Sequence, residues 1–190
     1  AYLCSLLGID FPYVSMGKID SYHLFGLETE MVIFALYKHN QKNWKNVLDI
    51  GANLGLHSIL LDKLGYNVKA YEPDVIHYAQ LMQNLRANNC AHVEPHMVAV
   101  HDKTGTAPFI RVLNNLTGNH LVGFKDSYGP LEETTVQTVD CRTLWEWADF
   151  AKIDSEGNEA VLCKTMTADD MKHLSAVIEI RNEQNAKEIY

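Results

Sequence analysis

Two acidic residues and two glycines are spaced so that together they could bind a ligand. Asp49 begins a D-x-G-x-x-x-G pattern that continues through Gly51 and Gly55, within the stretch VLDIGANLGLHSILL at positions 47–61. Glu72 ends the next apolar segment. A glycine turn lets a ligand approach the backbone, and a carboxylate at the following strand end can accept hydrogen bonds from both ribose hydroxyls. The spacing therefore predicts a site assembled at strand ends.

Four interpretations of the glycine turn compete, and the residue types separate them. A dinucleotide fold favours G-x-G-x-x-G, and a nucleoside triphosphate loop needs a lysine after its last glycine; neither pattern is present. Pyrophosphate is an anion that Asp49 would repel, whereas S-adenosylmethionine carries an ammonium that an acid can order, directly or through water. The chemistry favours S-adenosylmethionine, and a plain tight turn is the fourth interpretation.

Each residue also has a simpler structural explanation that the sequence leaves open. Asp49 could cap the next helix, and Glu72 with Pro73 could only end a strand. Asn53 could be a left-handed turn residue instead of a ligand contact.

Apolar runs alternate with helical patterns along most of the chain, which predicts an α/β fold with a mainly parallel sheet and helices on both faces. A helix at 27–40 precedes the alternation, and segments 105–112 and 133–140 alternate as exposed antiparallel strands do. Strands are predicted at 46–51, 67–73, 92–100, 149–157 (with its turn) and 175–182, and helices at 54–65, 74–89, 142–148, 158–166 and 167–174.

The predicted organisation is a single domain over residues 1–190. Residues 1–45 form a lead-in, irregular or a short strand pair at 1–26, followed by the first helix. The cofactor-binding core covers 46–182. The polar, Gly- and Asn-rich stretch 113–132 is the predicted substrate loop, because a rigid scaffold commonly presents functional groups on loops.

Composition excludes several classes of partner. The formal net charge of −8, without a basic stripe, argues against nucleic acid. No apolar stretch is long enough for a membrane span, so no membrane partner is expected. The four cysteines form no C-x-x-C pair and the histidines no metal motif, which favours reduced thiols, a cytoplasmic location and no built-in metal site.

Four stretches of the chain resemble the FkbM-type methyltransferases, a family of Rossmann-like class I S-adenosylmethionine-dependent enzymes. They are VLDIGANLGLHSILL, VKAYEPD, VAVHDKTGTAPF and TVDCRTLWEWADFAKIDSEGNEAVL, with coverage from about residue 46 to 180. The resemblance implies methyl transfer, most often to an oxygen of a small molecule or glycan. It also implies a final antiparallel strand pair, which is expected to be missing here because the given sequence ends one short helix after the fifth strand. The fifth strand would then be an edge that the N-terminal segment, or a second copy of the chain in a homodimer, could cover.

The resemblance and the predicted strand ends together suggest the site residues. Asp154, at the end of the fourth strand, is the first candidate for the catalytic base; Glu156 and the loop residue His120 are the others, with Glu159 and Glu179 nearby. Lys152 shares a face with Asp154, so a salt bridge is the alternative to catalysis. The expected cofactor contacts are Asp49, Gly51, Asn53, Gly55, Glu72, Pro73, Ala99 and Val100.

Competing functions remain open at this level. A protein that binds S-adenosylmethionine without catalysis is the main alternative. An NAD-dependent oxidoreductase and a nucleic-acid methyltransferase are disfavoured by the glycine spacing and by the acidic charge. The carboxylates of Asp154, Glu156 and Glu179 could bind a divalent cation, although their spacing does not demand one.

Overall fold

The computed structural model of the chain describes residues 15–16, 19–20, 28–113, 119–123, 130–180 and 183–189. The predicted lead-in at 1–26 lies outside the described residues except for one short antiparallel strand pair. The elements, in chain order, are β1 (Ser15–Met16), β2 (Ile19–Asp20), α1 (Glu28–His39), β3 (Asn46–Ile50), α2 (Leu56–Lys63), β4 (Asn67–Tyr71), α3 (Val75–Ala87), β5 (Val93–His96), β6 (Ala99–His101), β7 (Gly105–Val112), β8 (His120–Leu121), β9 (Leu131–Asp140), α4 (Arg142–Trp145), β10 (Phe150–Ile153), α5 (Glu159–Cys163), a 3₁₀ turn (Asp170–Lys172), β11 (Ser175–Ile178) and α6 (Glu183–Ile189).

A five-stranded parallel sheet forms the centre of the fold, in the order β11-β10-β3-β4-β5. The chain runs outward from β3 to β5 on one side and from β10 to β11 on the other. The order therefore reverses between β3 and β10, and in such open sheets ligands bind beyond the carboxyl ends of the strands at this point. The predicted Rossmann-like α/β fold is confirmed.

Hydrophobic residues cover both faces of this sheet, as the continuous apolar runs predicted. Val47 of β3 packs into a core with Tyr37 of α1 and Leu81 of α3. Its neighbour Leu48 points to the other face, where it packs with Trp145 of α4. Burial on both sides makes the sheet a rigid base from which the strand ends project.

Local sequence signals set the helix ends. The Asp74 side chain accepts hydrogen bonds from the backbone N–H groups of Ile76 and His77, at 2.8 and 2.9 Å, which confirms the predicted cap of α3. Gly65 follows α2 with a φ of 88°, a conformation that favours glycine. The helices predicted at 158–166 and 167–174 are shorter than expected: the first is α5 and the second only a 3₁₀ turn.

The strand predicted at 92–100 is wrong as a single element. It divides into β5, at the edge of the parallel sheet, and β6, which pairs with β9 in a second sheet. Pro95 is accommodated in β5 because an edge strand needs hydrogen bonds on one side only. The break at 97–98 turns the chain away from the parallel sheet.

The second sheet has the order β6-β9-β7-β8 and is inserted between the third and fourth parallel strands. Strand β7 pairs antiparallel with β9 over its full predicted length, 105–112, opposite residues 131–138 of β9, with Phe109 opposite Thr134. The predicted loop at 113–132 contains the short strand β8; residues 114–118 and 124–129 lie outside the described residues. Ala99, Phe109, Leu121 and Val136 form the small core of this sheet.

Strand β11 is an edge of the parallel sheet. It pairs with β10 on one side and, within the part of the chain that the structure describes, has no strand on the other. The prediction had extended it to 182; residues 181–182 lie outside the described set. Among the helices described here, none combines the length and apolar character needed to cross a membrane.

Candidate functional site

A cavity opens where the strand order reverses, beyond the carboxyl ends of β3 and β10. The backbone N–H groups of Gly51 and Ala52 both donate to the carbonyl oxygen of Tyr71, at 3.0 Å, which fixes the turn after β3. Gly51 has a φ of 77°, and a Cβ atom there would lie 1.7 Å from the backbone oxygen of Asp154. Only glycine allows the ends of β3 and β10 to come this close.

Most of the predicted site residues meet at this cavity. The structure brings together strand-end residues that are far apart in sequence. Those predicted residues that line the cavity are Gly51, Asn53, Glu72, Pro73, Ala99, Val100, Asp154 and Glu156.

Glu72 is buried, with 5% of its surface exposed, and is held by backbone groups. Its Oε2 accepts a hydrogen bond from the Asn53 N–H at 2.9 Å, and its Oε1 accepts one from the Asp74 N–H at 2.8 Å. Burial raises the pKa of Glu72 to about 7, although these two bonds oppose the shift. Asn53 adopts the left-handed conformation, with a φ of 50°, so its turn role is confirmed, and it also lines the cavity.

Asp49 does not line the cavity, so of the two predicted ways of ordering a cofactor ammonium, directly or through water, the structure disfavours the direct one. It is fully buried on the α2 side of β3, where its Oδ2 accepts a hydrogen bond from the Ser58 hydroxyl at 2.5 Å. Its Oδ1 lies 3.5 Å from the Nζ atom of Lys152. The alternation of side chains along β3 directs Asp49 toward the helix layer, beside Lys152.

Lys152 lies between two carboxylates and the glycine turn. Its Nζ donates to the carbonyl oxygen of Gly51 at 2.9 Å and lies 3.5 Å from the Oδ2 of Asp154. Burial alone would lower the pKa of Lys152, but the charges of Asp154, Asp49 and Glu30 outweigh it and raise the pKa. The predicted salt bridge is confirmed, and it ties the glycine turn to the end of β10.

Glu159 shapes the turn that follows β10. It is fully buried, and its Oε1 accepts hydrogen bonds from the backbone N–H groups of Ser155 at 2.8 Å and Gly157 at 3.1 Å. Glu156, inside this turn, has a φ of 60°. Glu159 therefore acts as a positioning residue that holds Asp154 and Glu156 at the cavity.

Three carboxylates converge at the ends of β10 and β11. Oxygen atoms of Asp154, Glu156 and Glu179, which we call the acidic cluster, lie within 4.8 Å of one another. Carboxylate oxygens are hard ligands for a divalent cation and also suit an ammonium or sulfonium group. The sequence had already grouped these three residues as a possible cation site, and the fold brings their carboxylate oxygens together.

Two further predicted residues lie away from the cavity wall. His120 is 1% exposed and belongs to β8, where it pairs with Ile110; its neighbours Asn119 and Leu121 line the cavity in its place. Because side chains alternate along a strand, His120 is turned away from the cavity, and the structure gives no support to a mobile loop base at this position. Gly55 lies at the start of α2, where a Cβ would meet Leu81 Cδ1 at 2.5 Å, so this glycine serves helix packing.

The sequence did not indicate several polar residues of the cavity, among them His77 and Asn158. His77, in the first turn of α3, is 6% exposed, and its Nδ1 lies 4.0 Å from Glu72 Oε1; burial lowers the pKa of His77 and favours its neutral form. Asn158, at the start of α5, is 1% exposed. A helix start after a site strand is the signal that could have identified both, because its first turn faces the carboxyl edge of the sheet.

Comparison with known proteins gave structural matches only. No family model and no curated protein sequence matches the chain. Solved structures similar to it include a precorrin-6y C5,15-methyltransferase from Geobacter metallireducens (12% identity, 83% of this chain and 66% of that chain, TM-score 0.46). Others are coclaurine N-methyltransferase bound to N-methylheliamine and SAH (13%, 80% and 36%, 0.41) and the N-terminal domain of human METTL16 (15%, 97% and 66%, 0.47). The chain spans about a third to two thirds of the length of these three solved chains.

Proposed function

We propose that the chain is an S-adenosylmethionine-dependent methyltransferase. The observation that carries the proposal is the charge of the cavity lining. Three carboxylates, those of Glu72, Asp154 and Glu156, line it, and no Lys or Arg side chain does among the residues described. Such a lining repels the phosphates of NAD or a nucleoside triphosphate and suits a ligand with an ammonium and a sulfonium.

The cofactor fits the lining group by group. The buried Glu72 is placed to accept hydrogen bonds from the ribose hydroxyls, and the apolar segment Val98–Val100, with Phe109 and Leu121 opposite, offers a slot for the base. Gly51 lines the cavity together with Asp154 and Glu156, so the methionine end would lie at the glycine turn beside the acidic cluster. Asp49 supports this end indirectly, by holding Lys152.

The proposed reaction is methylation of a hydroxyl oxygen, with Asp154 as the general base. The methyl carbon–sulfur bond breaks as the carbon–oxygen bond forms, the sulfonium becomes a neutral thioether, and the hydroxyl proton passes to the Asp154 carboxylate. The Asp154 side chain is 36% exposed, so an acceptor can reach it. Glu156, on the same cavity wall, is the second candidate for the base.

The finer assignments follow from the resemblance. We propose an FkbM-type enzyme in one domain, with a small molecule or glycan as acceptor and the 113–132 segment contributing to its selection. The Lys152, Asp154 and Glu159 contacts support this proposal, because they give these three residues of the K-I-D-x-E-G-x-E block defined partners. We also propose that two copies of the chain form a homodimer by pairing along β11, the edge strand of the parallel sheet.

Calorimetry with S-adenosylhomocysteine and with NAD tests the cofactor. We expect the wild-type chain to bind the first and not the second, and Glu72→Gln to weaken binding by about tenfold or more because the ribose loses an ionised acceptor. Glu133→Gln, an exposed site on β9 outside the cavity, is the matched control and should bind as the wild type does. Binding of NAD, or of neither ligand by a folded chain, would contradict the proposal.

Turnover tests the base. In a screen of hydroxyl acceptors with S-adenosylmethionine, we expect Asp154→Asn to lower the rate about 100-fold or more while cofactor affinity changes by less than about threefold. An unchanged rate would show that Asp154 is not the general base. Cofactor binding without transfer to any acceptor would instead favour the catalytically inactive alternative.

A further inference from the structure

Asn158 occupies a position at which asparagine usually has a purely structural use. It is the N-cap of α5, where an asparagine side-chain oxygen commonly accepts a hydrogen bond from the first turn of the helix. Here the side chain makes no such bond. The residue is 1% exposed and lines the cavity, so its amide is used for something else.

The orientation of this amide is fixed by its one partner. Asn158 Nδ2 donates to the backbone carbonyl oxygen of Val100 at 3.0 Å. A carbonyl oxygen can only accept, so the NH₂ group must face Val100 and the Oδ1 atom must face the other way. Among the described residues, Oδ1 accepts no hydrogen bond. A buried acceptor without a donor is costly, which points to a donor that arrives with a ligand.

The surroundings define what that donor can be. The apolar side chains of Val98, Ala99, Phe109 and Leu121 line the same cavity as Val100 and Asn158. An acceptor in a cavity with such apolar lining suits an N–H group at the edge of a flat, weakly hydrated ring.

We propose that Asn158 is the residue that selects the base of the cofactor, with its Oδ1 accepting a hydrogen bond from the 6-amino group of adenine. This inference rests on the proposed function. A 6-oxopurine would present a carbonyl oxygen at the same place, and two acceptors would then face each other. The hydrogen bond to the Val100 carbonyl prevents the amide of Asn158 from flipping. The site should therefore bind an adenine ligand more tightly than a 6-oxopurine ligand.

The test compares S-adenosylhomocysteine with S-inosylhomocysteine by calorimetry. We expect the wild type to prefer the adenine compound by about 10- to 100-fold, the usual factor for one buried hydrogen bond lost and an acceptor left unpaired. In Asn158→Leu the preference should fall below about threefold, because affinity for the adenine compound drops while that for the inosine compound does not. Asn84→Leu is the matched control: Asn84 is also buried, and its Nδ2 donates to the Leu54 carbonyl at 2.8 Å, outside the cavity.

The outcomes separate this inference from the proposed function. Loss of preference in Asn158→Leu, with preference kept in Asn84→Leu, supports the inference. Equal affinities in the wild type, or an unchanged preference in Asn158→Leu, would overturn it while leaving the cofactor assignment intact. Binding of neither compound by the wild type would overturn the proposed function as well. Circular dichroism checks folding, and Asn158→Ala, with the same expected loss, replaces Asn158→Leu if that variant does not fold.

Discussion

Replacing Gly51 with alanine tests how the glycine turn is built. The new Cβ would lie 1.7 Å from the backbone oxygen of Asp154, half of the 3.4 Å at which ordinary nonbonded contacts begin. The left-handed φ of 77° adds a penalty of about 1 kcal/mol for a residue with a Cβ. The clash is with backbone, so no side chain can swing away, and separating β3 from β10 should cost about 2–3 kcal/mol more. We expect the free energy of unfolding to fall by about 3–4 kcal/mol, with loss of S-adenosylhomocysteine binding.

Urea denaturation of a series of glycine variants isolates the steric contribution. Gly65 has a similar φ of 88°, but a Cβ there has no atom of the described residues within 4 Å, so Gly65→Ala should cost only about 1 kcal/mol. Gly55→Ala should lie between the two, because its Cβ meets the movable tip of Leu81 at 2.5 Å. Equal losses for Gly51→Ala and Gly65→Ala would refute the close approach of β3 and β10.

Four further predictions concern charge. The pKa of Glu72 is about 7, against a reference of 4.5, so the folded chain binds the Glu72 proton more tightly than the unfolded chain does. As the pH rises from 4.5 to 7, ionisation of Glu72 should therefore lower the free energy of unfolding by about 3 kcal/mol. Binding of S-adenosylhomocysteine, which favours the ionised form, should therefore tighten about tenfold from pH 6 to 8 in calorimetry, and this slope should vanish in Glu72→Gln. Lys152→Met should lower the free energy of unfolding, measured by urea denaturation, by about 3–5 kcal/mol, because Asp49 is left buried without its cation. Adding Asp49→Asn should recover part of that loss. If the loss in the double variant equals the sum of the losses in the two single variants, the pairing is contradicted. Because Asp154 is proposed to act as a base without a metal, a chelator should change methyl transfer by less than about twofold, whereas loss of activity that Mg²⁺ restores would assign the acidic cluster to a cation.

The order of secondary structure could be predicted because each element carries its own local signal. Continuous apolar runs marked β3 and β10 as strands buried on both faces, and Asp74 marked the start of α3. The division of the 92–100 segment could not be predicted, because an apolar pattern does not tell to which of two sheets a residue belongs.

The proximity of residues at the strand ends could also be predicted, because it follows from the identification of the parallel strands. Parallel strands place their carboxyl ends at one edge, so Gly51, Glu72 and Asp154 had to lie near one another once the strands were identified. The polar composition of residues 113–132 did not reveal the short strand β8 or the side of that strand on which His120 lies. The sequence therefore predicted a mobile base at His120, which the structure buries in β8.

The amino-acid sequence by itself determined the α/β class, the glycine turn and the acidic residues at the strand ends, because periodicity and turn chemistry act over a few neighbouring residues. The tertiary structure alone decided which partner each polar group has. It placed Asp49 against Ser58 and Lys152, and it aimed the amide of Asn158 at the Val100 carbonyl. These contacts join residues tens of positions apart, and the free energy of a buried polar group depends on what lies across from it, which no local pattern records.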